Sequence, residues 1–338
     1  MKRKQRRVLQ VMLISLICCV LLSFSLGQYP VPIQAVLGIL GKKIGLPVTV
    51  FWTEAMETAL WNIRLPRVIL SVLVGVSLAA AGSAYQGVFQ NPMASPDILG
   101  ASAGAGFGAA LAILLGASSV FIMLGAFASG IATVVLVFFV SRYAKGDKIL
   151  GLVLSGIMIS TLFQSGTSFL KLVADPANQL PQITYWLMGS LSGATWRNVL
   201  FAIIPMVIGW IPLLLLRWQL NVITMGDDEA KTLGVHPQKI RIWIVLSATL
   251  VTAASVAVSG IIGWVGLVIP HIMRRMVGND YRYLMPTSMV GGGLFLMIVD
   301  NISRNVTASG IPIGILTAFV GAPFFLWIIT GRGVRYEH

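Results

Sequence analysis

Acidic residues are nearly absent from this 338-residue chain. Asp and Glu together number 11, and charged residues of both signs make up only 10%. Soluble domains carry roughly 25%. With 57% hydrophobic residues and a mean hydropathy of +0.87, the chain holds more apolar surface than a soluble fold of this size can hide. A water-soluble enzyme and a disordered chain are both excluded. Cysteine is scarce too. Cys18 and Cys19 are adjacent within one apolar run, so they read as small apolar residues, not as a disulfide framework. Only three histidines occur, with no HExxH or CxxC and no acidic pair within the apolar runs. Metal catalysis therefore has no candidate, and no metal ligand set is expected. A phosphate-cradling loop is also missing, because Gly38-Ile-Leu-Gly41-Lys42-Lys43 has the wrong spacing. No cofactor is expected on this chain. If transport is driven by ATP, the motor sits on another subunit.

What is present is a series of long apolar runs. They cover 8–27, 61–85, 95–115, 119–140, 149–173, 198–217, 240–259, 263–277, 284–303 and 311–330. A spanning helix uses about 20 residues, so these predict an all-α membrane protein of about ten transmembrane helices. The runs do not alternate polar and apolar as barrel strands do. The first begins after Met1-Lys-Arg-Lys-Gln-Arg-Arg7, is longer than a signal-peptide core and lacks a good cleavage site. It reads as a retained helix starting in the cytoplasm. Ten spans then put both termini there.

The net charge of +13 reflects too few acids rather than an excess of Lys and Arg, which number 24. It is not a nucleic-acid signal, and the expected surroundings are a lipid bilayer. Assigned by this topology, 17 basic residues fall inside and 7 outside, as the positive-inside rule requires. Arg64, Arg67 and Arg304 are the exceptions, lying near membrane ends on the outer face. They read as snorkelling anchors or as a docking site for something acidic arriving from outside.

One long polar interruption, 221–239, separates the sixth and seventh runs. It contains Asp227, Asp228 and Glu229. Asp227 or Asp228 is placed to cap a short helix running to Leu233, with Gly234 ending it in the left-handed conformation and Pro237 preventing continuation. That makes it a connector or a lever gripped by a soluble partner. A proton-coupled carrier would instead need a buried titratable group, and only Asp300 and His271 qualify.

Six stretches carry a family resemblance. They are Arg64-Leu-Pro-Arg67, Tyr85-Gln-Gly-Val-Phe-Gln-Asn91-Pro-Met-Ala, Tyr185-Trp-Leu-Met-Gly-Ser190 and Gly226-Asp-Asp-Glu229-Ala230 with Leu233-Gly-Val235. Gly263-Trp-Val-Gly-Leu-Val-Ile-Pro270-His-Ile-Met-Arg274 and Pro312-Ile-Gly-Ile-Leu-Thr-Ala with Gly321-Ala-Pro-Phe324 complete the set. In this order they resemble the permease subunit of ABC importers for iron-siderophore, haem, cobalamin and related metal chelates, of the type II architecture. The resemblance implies one transmembrane permease domain over 1–338, in the inner or cytoplasmic membrane. It implies a homodimer, two ATP-binding subunits that hold the ATP and Mg, and an external substrate-binding protein.

Residue by residue, the resemblance makes Arg64, Arg67 and Arg304 the binding-protein docking residues. Gly226, Asp227, Asp228, Glu229, Ala230, Leu233 and Gly234 become the helix that couples to the ATPase, and Asn91 and Met93 an inner gate. Iron-siderophore is the expected cargo, with haem, cobalamin or an oxyanion such as molybdate as alternatives. The sequence departs from the family at Gly310, where many members have Glu.

Overall fold

The computed structural model describes residues 3–27, 29, 31–307 and 310–330. Lys2, Arg332 and Arg335 of the inner basic set lie outside them. The described elements are helical throughout, and the order is α1 (Arg3–Ser25), α2 (Ile33–Lys43), α3 (Glu54–Thr58), a π-helical turn (Ala59–Arg64) and α4 (Leu65–Val88). Then come α5 (Ala101–Leu114), α6 (Ser119–Ser141), α7 (Lys148–Val173), α8 (Gln179–Leu187), α9 (Trp196–Leu215) and α10 (Arg217–Ile223). The series closes with α11 (Asp227–Thr232), α12 (Pro237–Ser259), α13 (Val265–Val277), α14 (Tyr281–Val306) and α15 (Ile313–Thr330).

Every expected run carries a helix, and among the described residues seven helices are long and apolar enough to span: α1, the continuous Glu54–Val88 helix, α6, α7, α9, α12 and α14. The third run starts later than 95. Gly100 sits in the left-handed region at φ 79°, and the Asp97 carboxylate accepts from the Ser102 hydroxyl. Residues 90–100 therefore form turns, and α5 keeps 14 residues, about 21 Å of helix against a hydrocarbon core of about 30 Å. The eighth run is also shortened, because Gly260 and Trp264 take positive φ values of 67° and 70° and α13 begins only at Val265.

The centre is built from small residues. A Cβ at Gly75 of α4 would lie 2.2 Å from the Gly292 carbonyl of α14, and one at Gly82 would lie 1.8 Å from the Gly266 carbonyl of α13. Without a hydrophobic drive between helices in lipid, such close backbone approach supplies the packing energy. Polar pairs tie α4 to α12 and α9 as well. The Tyr85 hydroxyl meets Thr249 Oγ1 at 3.0 Å, and Trp210 Nε1 donates to Ser77 Oγ at 3.1 Å. Around this centre α1, α7 and α9 stay largely uncovered by the rest of the chain.

Candidate functional site

At the outer end, three chain segments converge on one charge cluster. Asp300 is fully buried and accepts from Arg67 Nε at 2.9 Å, with Arg304 Nε 3.8 Å from its other oxygen. Arg304 also donates to the Ser23 carbonyl at 2.9 Å, to the Ser23 hydroxyl and to Asn301 Oδ1. Arg64 donates to the carbonyls of Phe24 and Tyr29. Ser23 and Phe24 are in the last turn of α1, whose carbonyls have no helical partners. Two guanidinia therefore cap α1, as cations do at helix C-termini.

Arg64 and Arg304 are buried and aimed inward; Arg67, at 13% side-chain exposure, is the most open of the three. Ser23 and Asn301 belong to this cluster and had no signal in the sequence beyond lying one turn from charged or terminal positions.

Three helix breaks meet nearby. The Ser190 N–H donates to the Ser259 carbonyl at 2.7 Å, and the Ile313 N–H donates to the Gly189 carbonyl at 2.8 Å. The motifs around Tyr185–Ser190, Gly263 and Pro312, far apart in sequence, become one junction of non-helical backbone. Such backbone is tolerated at membrane depth only when buried in protein or lining a cavity. Gly310 explains itself here: its φ of 74° is a left-handed turn that favours glycine over Glu. It allows the Ile311 N–H to reach the Ser303 carbonyl at 3.0 Å.

On the cytoplasmic side the short helix forms as expected, but its cap differs. Gly226, not an Asp side chain, precedes it, because both oxygens of Asp227 are taken by Arg241 of α12 (2.8 Å to Nη1). Arg241 holds that carboxyl below the usual range, with help from Lys231 and Lys148. Gly234, at φ 75°, closes the helix. Its N–H reaches the Lys231 carbonyl at 3.0 Å, and the Val235 N–H reaches the Ala230 carbonyl at 2.9 Å, the two bonds of a Schellman cap. Ala230 is fully buried and seats the helix on the body. Asp228, Met225 and Leu233 point outward, the last two 65% and 55% exposed.

The loop is tied to its surroundings at two further places. Asn221 Nδ2 donates to Asp280 at 2.7 Å, and Gln90 Nε2 donates to the Ile223 carbonyl at 2.9 Å. Gln90 is a non-glycine residue at φ 48°. It opens the turn in which Asn91 Oδ1 accepts from the Met93 N–H at 2.9 Å. Asn91 and Met93 are both exposed. The turn expected as a gate is thus one hydrogen bond from the end of α10, which leads into the short helix, a link that no sequence pattern signals.

Between these ends, α7 presents an exposed face with Thr161, Gln164, Ser165 and Ser168. The spacing is that of one helix face, and the stripe carries no charge. It was legible in the sequence as i, i+3, i+4, i+7 polar residues inside an apolar run.

The comparisons agree with this architecture. A family model described as the FecCD transport family matches residues 15–331. The chain belongs to the FecCD transport family. It is 37% identical over 313 residues to the molybdate import system permease protein MolB of Haemophilus influenzae, covering 92% of this chain and 91% of MolB. It is 38% identical to the cobalamin import system permease protein BtuC of Halobacterium salinarum, covering 91% of this chain and 82% of that one. The solved structure of a metal-chelate type ABC transporter in an inward-facing conformation matches with a TM-score of 0.85 and 34% identity, over 96% of this chain and 99% of its own. This FecCD protein is a multi-pass membrane permease of an ABC importer.

Proposed function

We propose that this FecCD permease carries a bulky metal chelate from an external binding protein to the cytoplasm of a cell with this chain in its inner or cytoplasmic membrane. The observation that carries the reading is a charge-free polar face on α7 combined with a rigid cytoplasmic helix locked to α12 by Asp227 and Arg241. A large ligand needs a wide, weakly binding route, whereas a bare metal ion needs oxygen or nitrogen ligands. Iron-siderophore is the proposed cargo. The 37% identity to a molybdate permease favours an oxyanion as the second reading.

In the proposed cycle two copies of the chain pair, with the exposed faces of α7 and α15 toward a shared path. Two ATP-binding subunits, which carry the ATP and Mg, grip Met225 and Leu233 on the outward side of the loop. ATP binding moves α11, and the Gln90–Ile223 hydrogen bond passes that movement to the Asn91–Met93 turn. Nucleotide thereby shifts the population between outward- and inward-open states.

An acidic binding protein docks at the outer end, meeting Arg67 first. Arg64 and Arg304 hold α1 in place beneath it and reach a partner only if α1 yields their carbonyl bonds. A proton-coupled carrier is disfavoured, since Asp300 is held between two guanidinia.

The test is purification of the tagged chain in mild detergent, mass spectrometry of what accompanies it, and uptake in liposomes. A stoichiometric ATPase with ATP-dependent uptake is the expected result. Uptake by the chain alone, without ATP, overturns the reading. Metal analysis of the co-purified binding protein, set against its molybdenum content, then decides the cargo.

A further inference from the structure

A cavity of about 710 Å³ opens at the cytoplasmic end of the bundle, between the α6–α7 hairpin on one side and α11–α12 on the other. Its walls are of two kinds. Phe138, Ile149, Leu152 and Val245 supply apolar walls, and Arg142, Lys148 and Arg241 add three cations to the same lining. The two acids in the lining are already used. Asp147 caps α7, accepting from the N–H groups of Ile149 at 2.7 Å and Leu150 at 2.9 Å, and Asp227 is taken by Arg241.

The Arg142 and Lys148 side chains are exposed and, among the described residues, form no ion pair or hydrogen bond. Arg241 keeps a buried Nε–H that donates to nothing. Three cations against two carboxylates leave the lining a net charge of +1, with Arg142 and Lys148 exposed beside an apolar pocket. Its rim is continuous with exposed apolar side chains. Ile242 lines it at 47% exposure, and Trp243, Leu246 and Leu150 next to the lining are 59%, 41% and 57% exposed.

We infer that this cavity is a binding site for an anionic phospholipid of the cytoplasmic leaflet, its phosphate on Arg142 and Lys148 and its acyl chains against Phe138, Ile149 and Leu152. Basic pockets between spanning helices on the cytoplasmic side have the chemistry for anionic headgroups, and the apolar wall distinguishes this site from one built for a free anion. A lipid seated there bridges the α6–α7 hairpin to the segment that begins at Asp227. Membrane composition then acts on the same helix that the ATPase is proposed to move. The inference does not depend on the identity of the cargo.

The experiment is native mass spectrometry of the full chain, with any subunits that accompany it, titrated with phosphatidylglycerol, with phosphatidylcholine or with inorganic phosphate. The wild type retains phosphatidylglycerol over phosphatidylcholine. The double variant Arg142→Gln/Lys148→Gln weakens phosphatidylglycerol binding about 30-fold, taking the usual worth of each cation near an anionic headgroup. Each single variant shows part of that loss. Lys145→Gln, which removes an exposed cation from the same hairpin outside the cavity lining, leaves it unchanged.

Equal binding by the double variant, equal loss in Lys145→Gln, or equal retention of phosphatidylcholine overturns the site. Displacement of the lipid by millimolar inorganic phosphate overturns the lipid as occupant and assigns the cations to a free anion.

Discussion

The two ends of this permease treat charge in opposite ways. At the outer end Asp300, Arg67, Arg304 and Arg64 are drawn inward, and the carboxylate is wholly removed from solvent. At the cytoplasmic end Asp228 is 92% exposed on its side chain, Lys231 is 61% exposed, and Arg142 and Lys148 lie open beside the cavity. The difference follows from what each end must hold. The outer arginines satisfy backbone carbonyls at the end of α1, which otherwise has few covering contacts. At the inner end Asp227 ties α11 to Arg241, while Asp228 and Lys231 pair only with each other in the open and stay within reach of partners. A buried charge network is costly to disturb, while exposed pairs are worth little.

The largest expected break is at the outer end. Asp300→Asn leaves Arg67 and Arg304 without their carboxylate and should destabilise the protein by about 3–5 kcal/mol. Asp228→Asn should change stability by less than about 0.5 kcal/mol. Thermal unfolding in the same detergent measures both, and similar values for the two would end the contrast. Next is Leu233→Asp. It should leave the fold intact yet cost about 2 kcal/mol, roughly 30-fold, in co-assembly with an ATPase subunit, as for a central interface anchor. Retention of the ATPase at the wild-type level would remove Leu233 from the interface.

A smaller effect is expected for Arg67→Gln, which keeps Asp300 beside Arg304. Stopped-flow association with the binding protein should slow about tenfold at low salt, and its salt dependence should flatten, because rim charges govern encounter. An unchanged rate would confine Arg67 to holding Asp300.

The smallest effect concerns Asp227. Its folded carboxyl titrates below the ordinary value, so the pair with Arg241 contributes stability above about pH 4 and loses it as pH falls through the folded value. With 42% of the Asp227 side chain exposed, the gain is small. Arg241→Gln should melt slightly lower than wild type at neutral pH, and the gap should close below about pH 4. A gap that widened on acidification would contradict the pairing.

Much of the architecture was readable in the residues. Unbroken apolar runs required helices in lipid, and Gly234 with Pro237 marked the end of a short loop helix. The boundaries that failed did so where local pattern and tertiary demand part. Ser95–Gly100 reads as apolar helix, yet Pro96, the left-handed Gly100 and the Asp97–Ser102 bond hold it as turns. Asp227 looked like a side-chain cap until Arg241, 14 positions away, claimed its carboxylate.

The sequence by itself determined the solvent, the all-helical class, and the small residues that let α4, α13 and α14 touch. Those properties depend on composition and on spacing within a turn or two. Only the tertiary structure decided which charges pair. It set the outer arginines against the end of α1, joined the Tyr185, Gly263 and Pro312 motifs at one junction, and left Arg142 and Lys148 around an apolar cavity. Each of those outcomes is a contact between residues distant in the chain, and side-chain chemistry fixes what a group can bind but not which neighbour the fold brings within reach.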